Sequence, residues 1–235
     1  MTTSNLQSIT ANHYAVIVAG GSGSRMQSSV PKQFLLLNGK PVLMHTVEAF
    51  YNSASKPQII IVLPEAYQSY WEQLCRDHKF NVPHKLVNGG ETRFHSVKNA
   101  LDTIMGDIDT LVAVHDAVRP LTGQDIINES YKTAARNGNA ITAVKSRDSV
   151  RQLKNRVSTN LVRDEIYLVQ TPQTFQTGQL KKAYGQPFNE AFTDDASVVE
   201  AAGFPIYLIE GSYRNIKITF PEDIAIAEKF IVDGS

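Results

Sequence analysis

One cysteine, Cys75, is all that this 235-residue chain contains, so an internal disulfide is excluded. It sits in a helix-like run, Trp71 to Cys75, and reads as a small core residue. Net charge is missing as well. Lys and Arg total 23, as do Asp and Glu, so no global field advertises nucleic acid or an anionic membrane. Cations that matter must be clustered locally. No apolar run approaches membrane length, and Met1 to Asn12 is polar without a signal-peptide core. Residues 1–12 therefore read as a tail on a cytoplasmic protein. There is no internal repeat, no low-complexity linker and no Gly-x-Ser-x-Gly elbow. The histidines (13, 45, 78, 84, 95 and 115) make no pairing with metal-ligand spacing, so they read as structural and zinc has no support.

What remains is a soluble globular composition, 42% apolar and 20% charged. The length buries a full core in a single domain, 13–235. Its most informative segment runs from Val18 to Lys32, after the apolar strand-like run Tyr14 to Val18. Gly20, Gly21 and Gly23 let the backbone approach an anion closely. Glycines alone would suit an ordinary strand-to-helix turn. Arg25 and Lys32 change that, because a forked guanidinium and a compact ammonium so placed suit a nucleoside triphosphate. No Gly-Lys-Ser/Thr closes the loop, as an ATPase phosphate loop requires. Met26 replaces the third glycine of a dinucleotide fingerprint.

Apolar β-branched runs at Ile59 to Leu63, Leu111 to Val114 and Ala140 to Val144 suit strands covered on both faces. Helical stretches at Leu43 to Tyr51, Pro64 to His78, Phe94 to Met105 and Asp125 to Asn137 alternate with them. This predicts an α/β fold, a mainly parallel sheet with helices on both faces, binding ligands at the strands' carboxyl ends. Residues 145–169 break the rhythm with a basic, alternating stretch, predicted to be a protruding hairpin turning at Lys154-Asn155 and packing on a partner subunit. A helix is expected from Thr193 to Ala202, strands at Pro205 to Ile209 and Ile216 to Thr219, and a helix from Pro221.

Four segments carry candidate chemistry. Gly89 to Ser96 is a second glycine turn whose backbone and Ser96 hydroxyl suit a base edge. His115 to Pro120 places Asp116 and Arg119 at a strand end, Asp116 to orient a hydroxyl or a metal-bound water and Arg119 to hold a phosphate. Thr193 to Ser197 looks like a helix start capped by Thr193, whose N-terminus suits a phosphate. Lys217 lies between Ile216 and Ile218 and faces either solvent or a site.

Together, GGSGSRM, PKQF, GGETR, VHDAVRP, TPQTF, TDDAS and NIKIT resemble, in order, the 2-C-methyl-D-erythritol 4-phosphate cytidylyltransferase family from Tyr14 to Val232. The resemblance implies a Rossmann-like nucleotidyltransferase fold and a homodimer through an interlocked β-arm. The implied reaction makes CDP-methylerythritol and pyrophosphate from CTP in non-mevalonate isoprenoid synthesis. It implies that Ala19, Gly20, Gly21 and Gly23 cradle the CTP phosphates, and that Arg25 and Lys32 stabilise the transition state. Gly90, Glu91 and Ser96 fall where cytosine is read, and Asp116 and Ala117 also border the nucleotide. Asp116, Thr193 and Lys217 fall on the methylerythritol phosphate site, and Arg119, Ser149 and Arg163 match residues from the arm region or across the dimer. Arg163 and Lys217 are the implied positioning cations, and Mg2+ or another divalent cation is expected on the CTP phosphates. Two departures stand out: Ser149 replaces a threonine, and Val162 precedes Arg163 where aspartate is common, leaving Arg151 and Arg156 as alternatives. Two other readings stay open, a ribitol 5-phosphate cytidylyltransferase and a catalytically inactive CTP-binding regulator.

Overall fold

The structure, a computed structural model, describes residues 13–20 and 30–232. Chain order gives β1 (Tyr14–Val18), β2 (Leu36–Leu37), β3 (Lys40–Pro41), α1 (Val42–Tyr51), β4 (Gln58–Leu63), α2 (Gln68–Asp77), β5 (Lys85–Asn88) and α3 (Arg93–Asp102). Then come β6 (Leu111–Asp116), α4 (Gln124–Asn137), β7 (Asn139–Lys145), β8 (Arg151–Lys154), β9 (Val157–Asn160) and β10 (Tyr167–Gln176). The chain continues through α5 (Thr177–Tyr184), α6 (Asp195–Ala201), β11 (Leu208–Glu210) and α7 (Glu222–Val232).

Seven strands form one sheet in the order β11-β7-β10-β6-β1-β4-β5. Only β10 runs against the others, pairing antiparallel with β6 and β7. The sheet is thus mainly parallel, as the alternation of runs predicts. Side chains alternate across it. Ala15, Ile17, Ile59 and Ile61 pack with Met44, Phe50, Trp71 and Tyr131 from α1, α2 and α4. Val16, Ile60, Val62 and Val114 pack with Phe94, Leu101, Leu180 and Val199 from α3, α5 and α6 on the opposite face. Each fully buried aliphatic or aromatic side chain contributes about 1.5–3 kcal/mol, so two such faces carry most of the folding drive.

The chain leaves β1 to build β4 and β5 on one side, then returns to build β6 on the other. That reversal puts the topological switch point between β1 and β6, with Val18 opposite Asp116 at their carboxyl ends. A smaller cluster of Leu37, Val42, Val118, Ile218 and Ala227 docks α7 and the segment before it beside this point.

Several expectations need correction. The arm is a hairpin of β8 and β9, exposed throughout, but its two-residue turn is Asn155-Arg156, one residue later than expected. Both have left-handed backbones (φ 50° and 63°), the geometry that continues the twist of the flanking strands. Residues 216–219 form no strand: among the described residues, their one backbone bond to a neighbouring segment runs from Ile218 N–H to the Val118 carbonyl (2.9 Å). The strand expected at Pro205 to Ile209 forms later, as β11. Helix α3 stops at Asp102, short of Met105. Strands β5 and β10 and helix α5 are additions to the expected elements. Among the described residues, no helix is long and apolar enough to cross a membrane.

Candidate active site

A cleft of about 220 Å³ opens at the switch point. Its floor is the end of β1, where Ala19 donates its N–H to the Val62 carbonyl (2.9 Å) and the Ala117 N–H bonds the Val18 carbonyl (3.1 Å). The buried Gln33 amide donates to the Ala19 carbonyl (2.9 Å), fixing the end of β1 against the turn that begins with Lys32. Lys32 lines the cleft alongside Ala19 and Gly20. Gly21, Gly23 and Arg25 lie outside the described residues.

The opposite wall is the turn before α3. The Gly90 N–H donates to the Ser96 hydroxyl (3.0 Å), which folds the turn onto the first helical turn. A Cβ on Gly90 would stand 2.5 Å from the His95 Cβ and 2.8 Å from its carbonyl carbon, so only glycine fits. Glu91 and Ser96 line the cleft, as do Asp116 and Ala117. The expected nucleotide residues that are described thus converge, although they come from four separate segments.

A second hollow, about 330 Å³, adjoins the first and is bordered by Arg119, Gln170, Thr171 and Thr193. Arg93, Asp116 and Lys217 border both. Lys217 Nζ lies 2.9 Å from Asp116 Oδ2, and Arg119 Nε lies 3.4 Å from the same oxygen. Burial alone would raise the Asp116 carboxyl; Lys217, Arg93 and Arg119 outweigh it and hold the group well below the usual carboxylate range. Lys217 therefore reaches into the site, although its side chain remains partly open to solvent. Next to it, burial pushes His115 down to about 3, so this histidine is neutral and structural.

Arg93 lies within GGETR but carried no assigned role. Its guanidinium forks onto Asp195, with Nη1–Oδ1 at 2.9 Å and Nη2–Oδ2 at 2.6 Å. The Tyr184 hydroxyl also donates to Asp195 Oδ1 (2.6 Å), inside a fully buried environment. This fork joins the first turns of α3 and α6. The sequence signal was an acid in a helix start with an arginine about a hundred residues away, which only folding could pair.

The start of α6 differs from expectation. Asp194, not Thr193, is the cap: its carboxylate accepts the Ser197 N–H (2.9 Å), and the Ser197 hydroxyl accepts from the Asp194 N–H (3.2 Å). Gln173 Oε1 takes the Ala196 N–H (2.8 Å). Those amides are engaged within the protein, so the helix start does not offer them to a phosphate. Thr193 instead borders the second hollow.

Ser149 and Arg163 are exposed and line a separate hollow of about 290 Å³ at the arm's base, which shares no residue with the cleft. Within one chain they are not brought to Asp116 and Lys217. Cys75 packs against the core, and burial pushes its thiol up to about 11.

Residues 13–233 match the family of 2-C-methyl-D-erythritol 4-phosphate cytidylyltransferase. A protein of that name from Bacteroides thetaiotaomicron is 50% identical over 216 residues, covering 92% of this chain and 98% of the relative. One from Phocaeicola vulgatus is 47% identical over 220 residues, covering 94% and 100%. The crystal structure of the Francisella tularensis 2-C-methyl-D-erythritol 4-phosphate cytidylyltransferase superposes with a TM-score of 0.76 at 34% identity, covering 93% and 99%. The 4-diphosphocytidyl-2C-methyl-D-erythritol synthase of Anaerococcus prevotii superposes with a TM-score of 0.80 at 27% identity, covering 94% and 96%.

Proposed function

The chain belongs to the 2-C-methyl-D-erythritol 4-phosphate cytidylyltransferase family, and from that premise we propose how its two hollows transfer CMP from CTP to methylerythritol phosphate, releasing pyrophosphate. The chain is a nucleotidyltransferase of non-mevalonate isoprenoid synthesis. The observation that carries the mechanism is the shared wall of Arg93, Asp116 and Lys217 between the cleft at the switch point and a polar second hollow.

CTP occupies the first hollow, its cytosine against Gly90, Glu91 and Ser96 and its phosphates toward Ala19, Gly20 and Lys32, with Gly21, Gly23 and Arg25 completing the cradle. The acceptor occupies the second, with Asp116 receiving its hydroxyls and Arg119, Thr193 and Lys217 around its polar groups. A phosphate monoester has its second pKa near about 6, so at neutral pH it is already a nucleophilic dianion. One of its oxygens attacks the α-phosphorus of CTP; the new P–O bond forms as the bond to pyrophosphate breaks, and no proton moves. No protein base is required. Asp116 suits this chemistry because its depressed carboxyl stays ionised and anchors Lys217 instead of exchanging protons. The task left to the protein is positioning and charge stabilisation, assigned to Arg25 and Lys32 at the phosphates and Lys217 at the acceptor.

We expect a divalent cation to arrive on the CTP phosphates. Asp116, which borders both hollows, is already paired with Lys217 and Arg119. Magnesium, when bound, offsets charge on the triphosphate oxygens.

We assign Ser149 and Arg163 to the acceptor hollow of a second copy, making the enzyme a homodimer joined through the arm. Leu153, Val157 and Val162 support this, being 72%, 65% and 59% exposed on or beside a two-stranded hairpin that is marginal alone. The decisive assay is pyrophosphate release from CTP with methylerythritol phosphate and, separately, ribitol 5-phosphate. Turnover of the first alone supports the assignment. Preference for ribitol 5-phosphate, or CTP binding without turnover, overturns it.

A further inference from the structure

Lys217 must be placed accurately, yet the segment that carries it has no ladder. From Gly211 to Pro221 the chain is irregular, so whatever fixes Lys217 must do so through individual bonds. Ile218 N–H to Val118 O holds the backbone just after it. Just before it stands Asn215, fully buried.

Every polar group on the Asn215 side chain is used. Its amide donates to the Thr171 carbonyl (2.9 Å) and to Gln170 Oε1 (3.2 Å). Its Oδ1 accepts from the Thr122 hydroxyl (2.8 Å), and its main-chain carbonyl accepts from Arg119 Nη1 (2.7 Å). The Thr122 hydroxyl lies 3.2 Å from His115 Nε2, which can donate to it. One side chain thus ties together three stretches: 115–122, which carries Asp116 and Arg119; the irregular part of β10 at Gln170 and Thr171; and the strandless segment of Lys217. Thr171 closes the circuit, since its hydroxyl accepts the Asp116 N–H (3.1 Å).

We propose that Asn215 is a positioning residue for the acceptor half of the reaction, setting Lys217 and Arg119 in register with Asp116. It reaches neither hollow and acts through those groups. The inference rests on the acceptor site lying at Asp116 and Lys217. Its partners explain why asparagine suits the position: the two carbonyl-type oxygens demand a donor, while the Thr122 hydroxyl, which also lies 3.1 Å from the Arg119 carbonyl, makes its shorter contact (2.8 Å) with Oδ1. A carboxylate would set oxygen against oxygen at Thr171 and Gln170.

The test uses the full chain. Turnover of CTP and methylerythritol phosphate by the unaltered protein checks the functional reading first, so failure there is distinct from failure of this inference. In Asn215→Asp, KM for the acceptor should rise and kcat fall, each by about tenfold, while CTP affinity by calorimetry stays within about twofold. Thr122→Val, which removes one bond to the same side chain, should show a smaller split of about threefold, and Thr122→Ser should restore it. If Asn215→Asp does not fold, the Thr122 pair carries the test. Unchanged acceptor kinetics in the folded variants would overturn the proposal. So would a parallel loss of CTP affinity and acceptor kinetics, or Thr122→Ser behaving like Thr122→Val.

Discussion

Lys217 Nζ and Asp116 Oδ2 stand 2.9 Å apart, an ion pair between the end of a fully buried strand and a segment with no strand partners. The lysine side chain remains 45% exposed, whereas that of Asp116 is 13% exposed. The carboxylate is thus the fixed partner, and the lysine keeps N–H donors for a ligand. Replacing Asp116 by Asn should leave Lys217 without its anchor and cut kcat/KM for the acceptor by about a hundredfold or more. CTP affinity should fall much less. Equal losses for both substrates would contradict the division of the two hollows.

The same carboxyl has a stability signature. Its folded pKa is depressed, so its contribution is complete above the unfolded carboxylate value of about 3.9 and is lost as pH falls through the lower folded value. Thermal melts of Asp116→Asn between pH 2 and 5 (roughly the window this linkage sets) should show a shallower acid limb than the unaltered protein.

Lys32→Ala should lower kcat by about a hundred- to a thousandfold, the effect of losing one preorganised electrostatic group worth about 3–4 kcal/mol. Its melting temperature should hardly move, because the Lys32 side chain belongs to no core cluster, while Gln33 and Phe34 beside it anchor the turn. Near-normal turnover in the folded variant would remove Lys32 from the transition state.

The Arg93–Asp195 fork should respond asymmetrically. Asp195 is fully buried, whereas the Arg93 side chain is 31% exposed. Arg93→Met strands a buried carboxylate and should cost about 3–5 kcal/mol in urea unfolding. Asp195→Asn leaves a guanidinium that water can reach and should cost less. The reverse order would show that the fork is not held from the Asp195 side.

His115 sets a second pH dependence. Its folded pKa is lowered to about 3 by burial, and its Nδ1 has no partner among the described residues, so protons bind the unfolded chain first. Stability should therefore rise with pH by about 1.4 kcal/mol per unit from this group between the folded value and about 6.5. His115→Asn should flatten that slope in denaturant titrations at successive pH values.

Much of the frame was legible because buried parallel strands and amphipathic helices write their periods into the chain. Ile59 to Leu63 and Leu111 to Val114 lie within β4 and β6, and Gly138 ends α4 with a left-handed φ of 91°. Strand β10 was less legible, since Pro172 inside it resembles a break; the ladder tolerates it through a register shift between Val169 and Gln173. Residues 216–219 misled in the opposite sense. Ile218 is buried and Lys217 is not, so the alternation is real, yet alternation reports which side chains are covered and not whether the backbone has a neighbour.

Asn215 and Asp195 lie in recognisable motifs, but nothing local named their partners. A buried polar side chain is defined by partners far along the chain, and Arg93 with Asp195 or Thr122 with Asn215 meet only once the sheet is built. The sequence by itself determined the alternating layers, the loop at the end of β1 and the kinds of charge available to it, because periodicity and residue type are local properties. Only the tertiary structure decided that Asp116 and Lys217 share a wall between two hollows, that Asp194 caps α6, and that Ser149 and Arg163 lie apart within one chain. Those outcomes depend on through-space distance and desolvation, which exist only after the segments have packed.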